Sequence, residues 1–432
     1  MPADTSTAGQ LLKEDFGPAL RTQLSNETPL LDSFEKRDNV RWVGRERVEP
    51  IRVNRNRGVY FTAEGGRPPA AGNQQTENLR IPVRYTHGAI QLTAQLMKAS
   101  KSDKGAFVSA LKLETEGLLD DLRMQRLFAM WGDGRGIRAL LNGDPVTGTT
   151  LTLDAPGGFA GPNHGNRFLN VGDYVVAVDP TTGAVRAGGT RRIDAIAAGG
   201  TTATINAACD TAWADNDFII KAYGSDASIT IGDTDWQHPM MGMMGMIDNG
   251  TYVNMYFNLS RTQYPVLQAT RINNVGALSA DVIQRGIDVA MQIGSAKITE
   301  HWVHPDTRRA YLTLMEQDRR YTAESLMNPN AGTKIASGQY SDTLSFGGVP
   351  IKTDPHAPYG TWFGCDTRSA VRYILEEGQW ADETGEIFVQ VANAVDTYSA
   401  TYRIYDNCAW LRPNQSFRLD DIQTTFVMAH IV

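Results

Sequence analysis

His301 and His304, with Asp306 two residues on, are the nearest approach in this sequence to a metal-binding set. Trp302 and Val303 between them predict a strand, and side chains alternate along a strand, so the two imidazoles point to opposite faces. A structural role is expected for both, and no metal site is assigned.

The run Trp131-Gly132-Asp133-Gly134-Arg135-Gly136 looks superficially like a phosphate-cradling loop. Nucleotide folds place such glycines after a strand and before a helix, whereas here they follow a helical pattern. A helix stop and a turn explain them.

The thioethers of Met240, Met241, Met243, Met244 and Met246 could line a soft ligand site, but adaptable packing at a junction is the commoner use of such a cluster. Cys365 sits in Phe363-Gly364-Cys365-Asp366 without the local signature of a nucleophile, and no Gly-x-Ser-x-Gly elbow occurs. Asp120 and Asp121 are adjacent, so on a helix they do not face each other. No catalytic, cofactor-binding or metal-ligating residue is therefore assigned, and no cofactor is expected.

The elements that carry these residues are more informative. Leu11, Leu12, Phe16, Leu20, Leu24, Leu30, Leu31 and Phe34 suggest one or two short helices in an N-terminal arm. Glu35–Arg57 has eight basic and four acidic residues interleaved with Trp42, Val43, Val48, Ile51 and Val53. That pattern reads as a strand whose arginines keep one face in water, or one that meets an acidic neighbour or DNA. Gly58–Leu96 predicts an exposed hairpin: Val59, Tyr60 and Phe61 lead out, Glu64–Gln75 turn, and Leu79–Leu96 return. An isolated ribbon is marginally stable in water, so this one is expected to lie on another subunit.

Asp103–Trp131 predicts a long helix, capped by Ser102 and about 40 Å in length. From Pro145 to Tyr223 the character changes to short strands, at Thr149–Leu153, Tyr174–Val178, Arg191–Ile196, Thr202–Ile205 and Phe218–Ala222, which predict a small all-β barrel or sandwich. Beyond it, Ser279–Ile293 and Pro305–Gln317 predict helices and His301–Val303 a strand, with further strands near Val349–Thr353, Ala370–Leu375, Ile387–Val391 and Thr401–Tyr405.

The chain has 432 residues, ample for two or three folding units. Its 41 Lys+Arg against 48 Asp+Glu leave a net charge of -7, which gives the whole molecule no electrostatic reason to seek nucleic acid. The three cysteines, Cys209, Cys365 and Cys408, fit neither a disulfide framework nor a metal spacing. Met1–Gln10 lacks the basic start and apolar run of a secretory signal, and no stretch of about 18 apolar residues suggests a membrane span.

The order of arm, long hairpin, long helix and mixed α/β region resembles the HK97-like fold of tailed-bacteriophage major capsid proteins. Two stretches sharpen the resemblance: His301-Trp302-Val303-His304-Pro305 running into a helix through Leu312 and Leu314, and Leu344-Ser345-Phe346-Gly347-Gly348-Val349-Pro350-Ile351 ahead of Asp354, Pro355, Ala357 and Pro358. It implies an α+β fold with an N-terminal arm (1–50), an extended loop (51–98), a peripheral domain with a spine helix (99–144), an axial domain with peripheral elements (226–395) and C-terminal peripheral strands (396–432); the all-β insertion (145–225) is a departure from that pattern.

The function implied is a non-catalytic subunit that self-assembles as pentamers and hexamers into an icosahedral head around double-stranded DNA. It would reside in the virion capsid and assemble in the host cytoplasm. Implied partners are other copies of the chain, a portal, scaffolding from a separate protein, a possible decoration protein, and packaged DNA touched weakly and without sequence specificity; no membrane is involved. Some relatives crosslink a lysine of the extended loop, but Gly58–Met97 contains none, so noncovalent contacts are expected. Two readings compete: an encapsulin-like compartment shell, and an enzyme with an appended β domain.

Overall fold

The computed structural model describes residues 29–30, 33, 39–42, 44–99, 110–143, 148–159, 164–198, 200–317, 344–382, 387–390 and 396–424. The arm positions before Pro29, Leu31, Phe34 and the cap proposed at Ser102 lie outside these. The chain divides into two compact units, one of residues 1–26, 87–124 and 378–404, the other of 27–86, 125–377 and 405–432.

In the second unit six strands close into a barrel, in the order Phe218–Ala222, Ile137–Leu141, Thr150–Asp154, Thr202–Ile205, Arg191–Ile196 and Tyr174–Val178. Inward residues alternate with outward ones along Thr150–Asp154, so Leu151 and Leu153 join Leu141, Val175, Ile193, Ile205, Trp213 and Ile219 in a core of the barrel's own. Closure removes the exposed edges a small sheet would otherwise present. The strand Ile137–Leu141 precedes the region the sequence assigns to this insertion, because its residues are buried at four of five positions and show no alternation.

A second sheet of six strands carries the α/β region, ordered Thr270–Ile272, Phe417–Leu419, Trp362–Cys365, Glu300–Val303, Val349–Thr353 and Leu344–Phe346. The helix Ala280–Gly294 packs on it through Ile283, Gly286 and Ala290, and Ser279 caps its start by accepting from the Val282 amide at 3.3 Å. Gly286 and Gly364 are glycine for space: a Cβ on either would lie within 2.6 Å of the Phe417 ring. The helix Pro305–Gln317 follows the strand Glu300–Val303 directly.

The long helix is described over Ala110–Trp131, 22 residues and thus about 33 Å. In the first unit Leu118 and Leu122 of this helix close around Gly88, which has no room for a side chain. Arg84–Thr93, Ala370–Trp380 and Thr397–Trp410 are long strands that, like the helix, run through both units.

The extended hairpin departs from the sequence reading. Its strands are Glu46–Asn54 and Gln75–Pro82, joined by residues 55–74, and Val59–Phe61 are not in a strand. The outgoing strand is half-buried at Arg47, Glu49, Ile51 and Val53 and exposed at Val48, Pro50 and Arg52. Charged residues occupy the inner face, where Arg47 pairs with Glu49 at 2.8 Å, and this hides the period of two.

Candidate assembly surface

The hairpin is fixed at its root and bare at its far end. On the return strand Leu79 and Ile81 are fully buried, and with the following Val83 they enter the largest hydrophobic core, beside Tyr256, Leu259, Leu267 and Trp410. At 25 cal/mol per Å², burial of three such side chains contributes about 5 kcal/mol of transfer free energy. In residues 55–74, by contrast, Val59 is 81% exposed, Tyr60 52% and Phe61 fully exposed. Three consecutive apolar side chains in water are an unusual concentration for a surface and mark a contact site. Arg55, Arg57 and Arg67 surround them with Glu64 as the single acid, so the segment is basic.

Beneath Pro50 and Ile51 lies a groove of about 400 Å³ lined by Val266, Leu267, Leu411 and Arg412, in which Glu49 is the sole carboxylate. That carboxylate is engaged by Arg47, which donates to it at 2.8 Å, and by the Tyr373 hydroxyl.

The sequence-derived candidates for chemistry fall elsewhere, into separate packing environments. His301 is buried against Trp362, Phe346 and Phe417, and its Nδ1 accepts from the Trp362 indole at 3.1 Å. Burial holds its pKa down to about 4. His304 instead lies against Tyr359, with Nδ1 accepting from the Asp306 amide at 3.2 Å, and burial followed by the charge of Arg167 lowers it to about 2. Both imidazoles are therefore neutral at pH 7. Among the described residues no group of three His, Cys, Asp or Glu side chains is arranged to hold a metal ion.

His304 belongs to a buried polar pocket that sequence spacing did not reveal. Arg167, in the short turn Gly165–Phe168, stacks 4.2 Å over the Tyr359 ring and donates to the carbonyls of Pro355 and Ala357. His164 and His356 complete it, the latter lowered to about 4 by burial and then by Arg167. Asp354, raised by burial, accepts from the amides of His356 and Leu30. These bonds fasten the barrel's turn to the 354–359 loop, which is structural work.

The glycine run ends the long helix and leads into the strand Ile137–Leu141, the reverse of a nucleotide-binding order. Asp133 is committed to Arg135, accepting from its amide at 2.9 Å and its Nε at 2.5 Å. Met240, Met243, Met244 and Met246 are core residues, and Met241 packs against them. Around them runs a charge network with no sequence signal: Arg261 and Arg418, both fully buried, donate to the carbonyls of Met244, Gly245, Met246 and Ile247 and flank Asp248. Cys209, Cys365 and Cys408 are buried in hydrophobic clusters. Asp120 and Asp121 are exposed. Among the described residues no helix is long and apolar enough to cross a membrane.

No protein-family model matches this sequence, and no curated protein matches it either. Solved structures do. A subunit of the cyanophage A-1(L) capsid superposes with a TM-score of 0.59 at 10% identity, over 97% of this chain and 99% of that one. A subunit of the capsid of the native GTA particle gives 0.54 at 8% identity, over 98% and 100%. Agreement from end to end at such low identity is agreement of backbone course: the chain has the HK97-like capsid fold, the fold of these shell subunits.

Proposed function

We propose that this chain is a major capsid protein, a non-catalytic subunit that assembles as pentamers and hexamers into an icosahedral head enclosing double-stranded DNA. The observation that carries the reading is the match along the full length of a cyanophage capsid subunit, with no substantial part of either chain left over. The exposed tip Val59-Tyr60-Phe61 supports it, since a shell subunit needs apolar surface that is covered only on assembly.

Assembly works by multiplication. Each hairpin brings one modest apolar patch to a second copy, and closed symmetry repeats that contact until the shell is stable although each contact is weak. The acidic chain as a whole (net charge -7) has no strong attraction for packaged DNA, so contact with it is weak and indifferent to sequence. With no lysine between Gly58 and Met97, the hairpin contact is noncovalent. The barrel, with a core of its own, is the part suited to a decoration protein; a portal and separate scaffolding complete the partners, with assembly in the host cytoplasm.

Sedimentation velocity of the purified chain, alone and co-expressed with the products of neighbouring genes, tests this. Species the size of pentamers, hexamers or closed shells are expected. A monomer under every condition overturns the reading.

A further inference from the structure

The strand Gln75–Pro82 has an outer edge that faces away from its hairpin partner, and an open edge is a template for unwanted strand pairing. The tight turn between Met255–Tyr256 and Leu259–Ser260 meets it with one side chain. Asn258 Oδ1 accepts from the Arg80 amide at 2.8 Å, and Asn258 Nδ2 donates to the Asn78 carbonyl at 2.9 Å. In an antiparallel pair the N–H and C=O of alternate residues turn outward together, so one amide side chain satisfies what a neighbouring strand would. By the same alternation Pro82 lies on this edge, with no N–H to offer and its carbonyl taken by Asn407 Nδ2 at 2.7 Å. On the opposite strand Pro50 pairs with Asn78 and so turns its nitrogen to the other open edge, blunting that side as well.

The same turn is tied to the core by the same device. The Tyr256 hydroxyl donates to the Trp410 carbonyl at 3.0 Å and accepts from the Trp410 amide at 2.9 Å. Between Tyr256 and Asn258, Phe257 has φ of 55°, a left-handed conformation that is costly for an aromatic residue and persists only where its surroundings impose it. A fourth bond, from the Tyr264 hydroxyl to Glu77 at 3.0 Å, falls on the strand Gln75–Pro82.

We propose that Asn258 is the positioning residue of the extended hairpin: its amide acts as a one-residue third strand that seals the Gln75–Pro82 edge and bracketed to Trp410 through Tyr256, sets the direction in which the hairpin presents its tip to a second copy. The contact between copies is then made by side chains of the tip, because the Gln75–Pro82 edge is sealed and Pro50 blunts the other. The assembly part of this inference rests on the capsid reading; the clip itself does not.

Hydrogen exchange on the full-length unassembled chain, paired with electron microscopy of its assembly products, tests both parts. Asn258→Ala speeds exchange at Arg80 about fivefold, the loss of one hydrogen bond, with the barrel strands unchanged. Asn258→Asp keeps the acceptor and protects Arg80, but loses the donor to Asn78. Asn258→Ala also turns closed shells into open or aberrant assemblies. Unchanged exchange at Arg80 overturns the clip, and faster exchange with normal shells overturns its role in assembly. If the parent chain forms no shells at all while the exchange effect appears, the capsid reading fails and the clip stands.

Discussion

Arg418 Nη2 lies 3.1 Å from Asp248 Oδ1, and both side chains are completely buried. The same guanidinium donates to the carbonyls of Met244 and Ile247 at 2.9 and 3.0 Å and to Asp420 at 3.1 Å. A buried ion pair is not in itself a large stabiliser, but removing Arg418 leaves Asp248 to the more distant Arg261, at 3.6 Å, and takes a donor from the buried carbonyls of Met244 and Ile247. Arg418→Met is expected to cost about 3–5 kcal/mol in unfolding free energy, measured by urea denaturation. Arg418→Lys recovers little, because an ammonium cannot span four acceptors in a plane. A loss below about 1 kcal/mol would show that the network is dispensable.

The buried histidines give the chain a pH dependence with a definite sign. His301 and His356 are held down to about 4 and His304 to about 2, against an ordinary value of 6.5. Between those limits the unfolded chain binds protons that the folded chain does not. The stabilisation is therefore complete above pH 6.5 and is lost as the pH falls toward 4, by up to about 1.4 kcal/mol per pH unit for each imidazole. Asp354, raised by burial, acts in the opposite sense, so the informative comparison is between the parent and His356→Gln. The variant is expected to show the shallower slope between pH 6.5 and 4.5; equal slopes would remove His356 from the account.

The barrel is expected to respond as a unit. Leu151 is fully buried in its core, and Leu151→Ala should cost about 3 kcal/mol there. Limited proteolysis should then cut within residues 137–222 and spare the sheet around Trp362. Cuts spread evenly through the chain would contradict a core of the barrel's own.

The barrel was legible because strands such as Thr150–Asp154 alternate and end in turn residues, and Ser279 announced its helix by type and position. Glu46–Asn54 was legible as part of a basic strand but not as the outgoing arm of the hairpin, because Arg47 and Glu49 on its inner face mask the alternation that would pair it with Gln75–Pro82. Nothing local in the sequence distinguishes the buried Arg418 and Arg261 from solvated arginines. Asn258 was invisible for another reason: its partners lie about 180 residues away, and a side chain that imitates a strand leaves no periodic trace.

The tip of the hairpin separates assembly from folding. Tyr60 and Phe61 are exposed, so Tyr60→Ser with Phe61→Ser should change unfolding free energy by no more than about 0.5 kcal/mol. The same pair should sharply reduce the yield of shells, read by light scattering. Normal yield would remove the tip from the assembly contact.

The most direct measurement is a cryo-electron microscopy reconstruction of particles formed by this chain. The account predicts a closed icosahedral shell in which the Val59–Phe61 segment of each subunit is covered by a neighbouring copy. Particles in which that segment stays in solvent, or a preparation that yields only dispersed monomer, would contradict it.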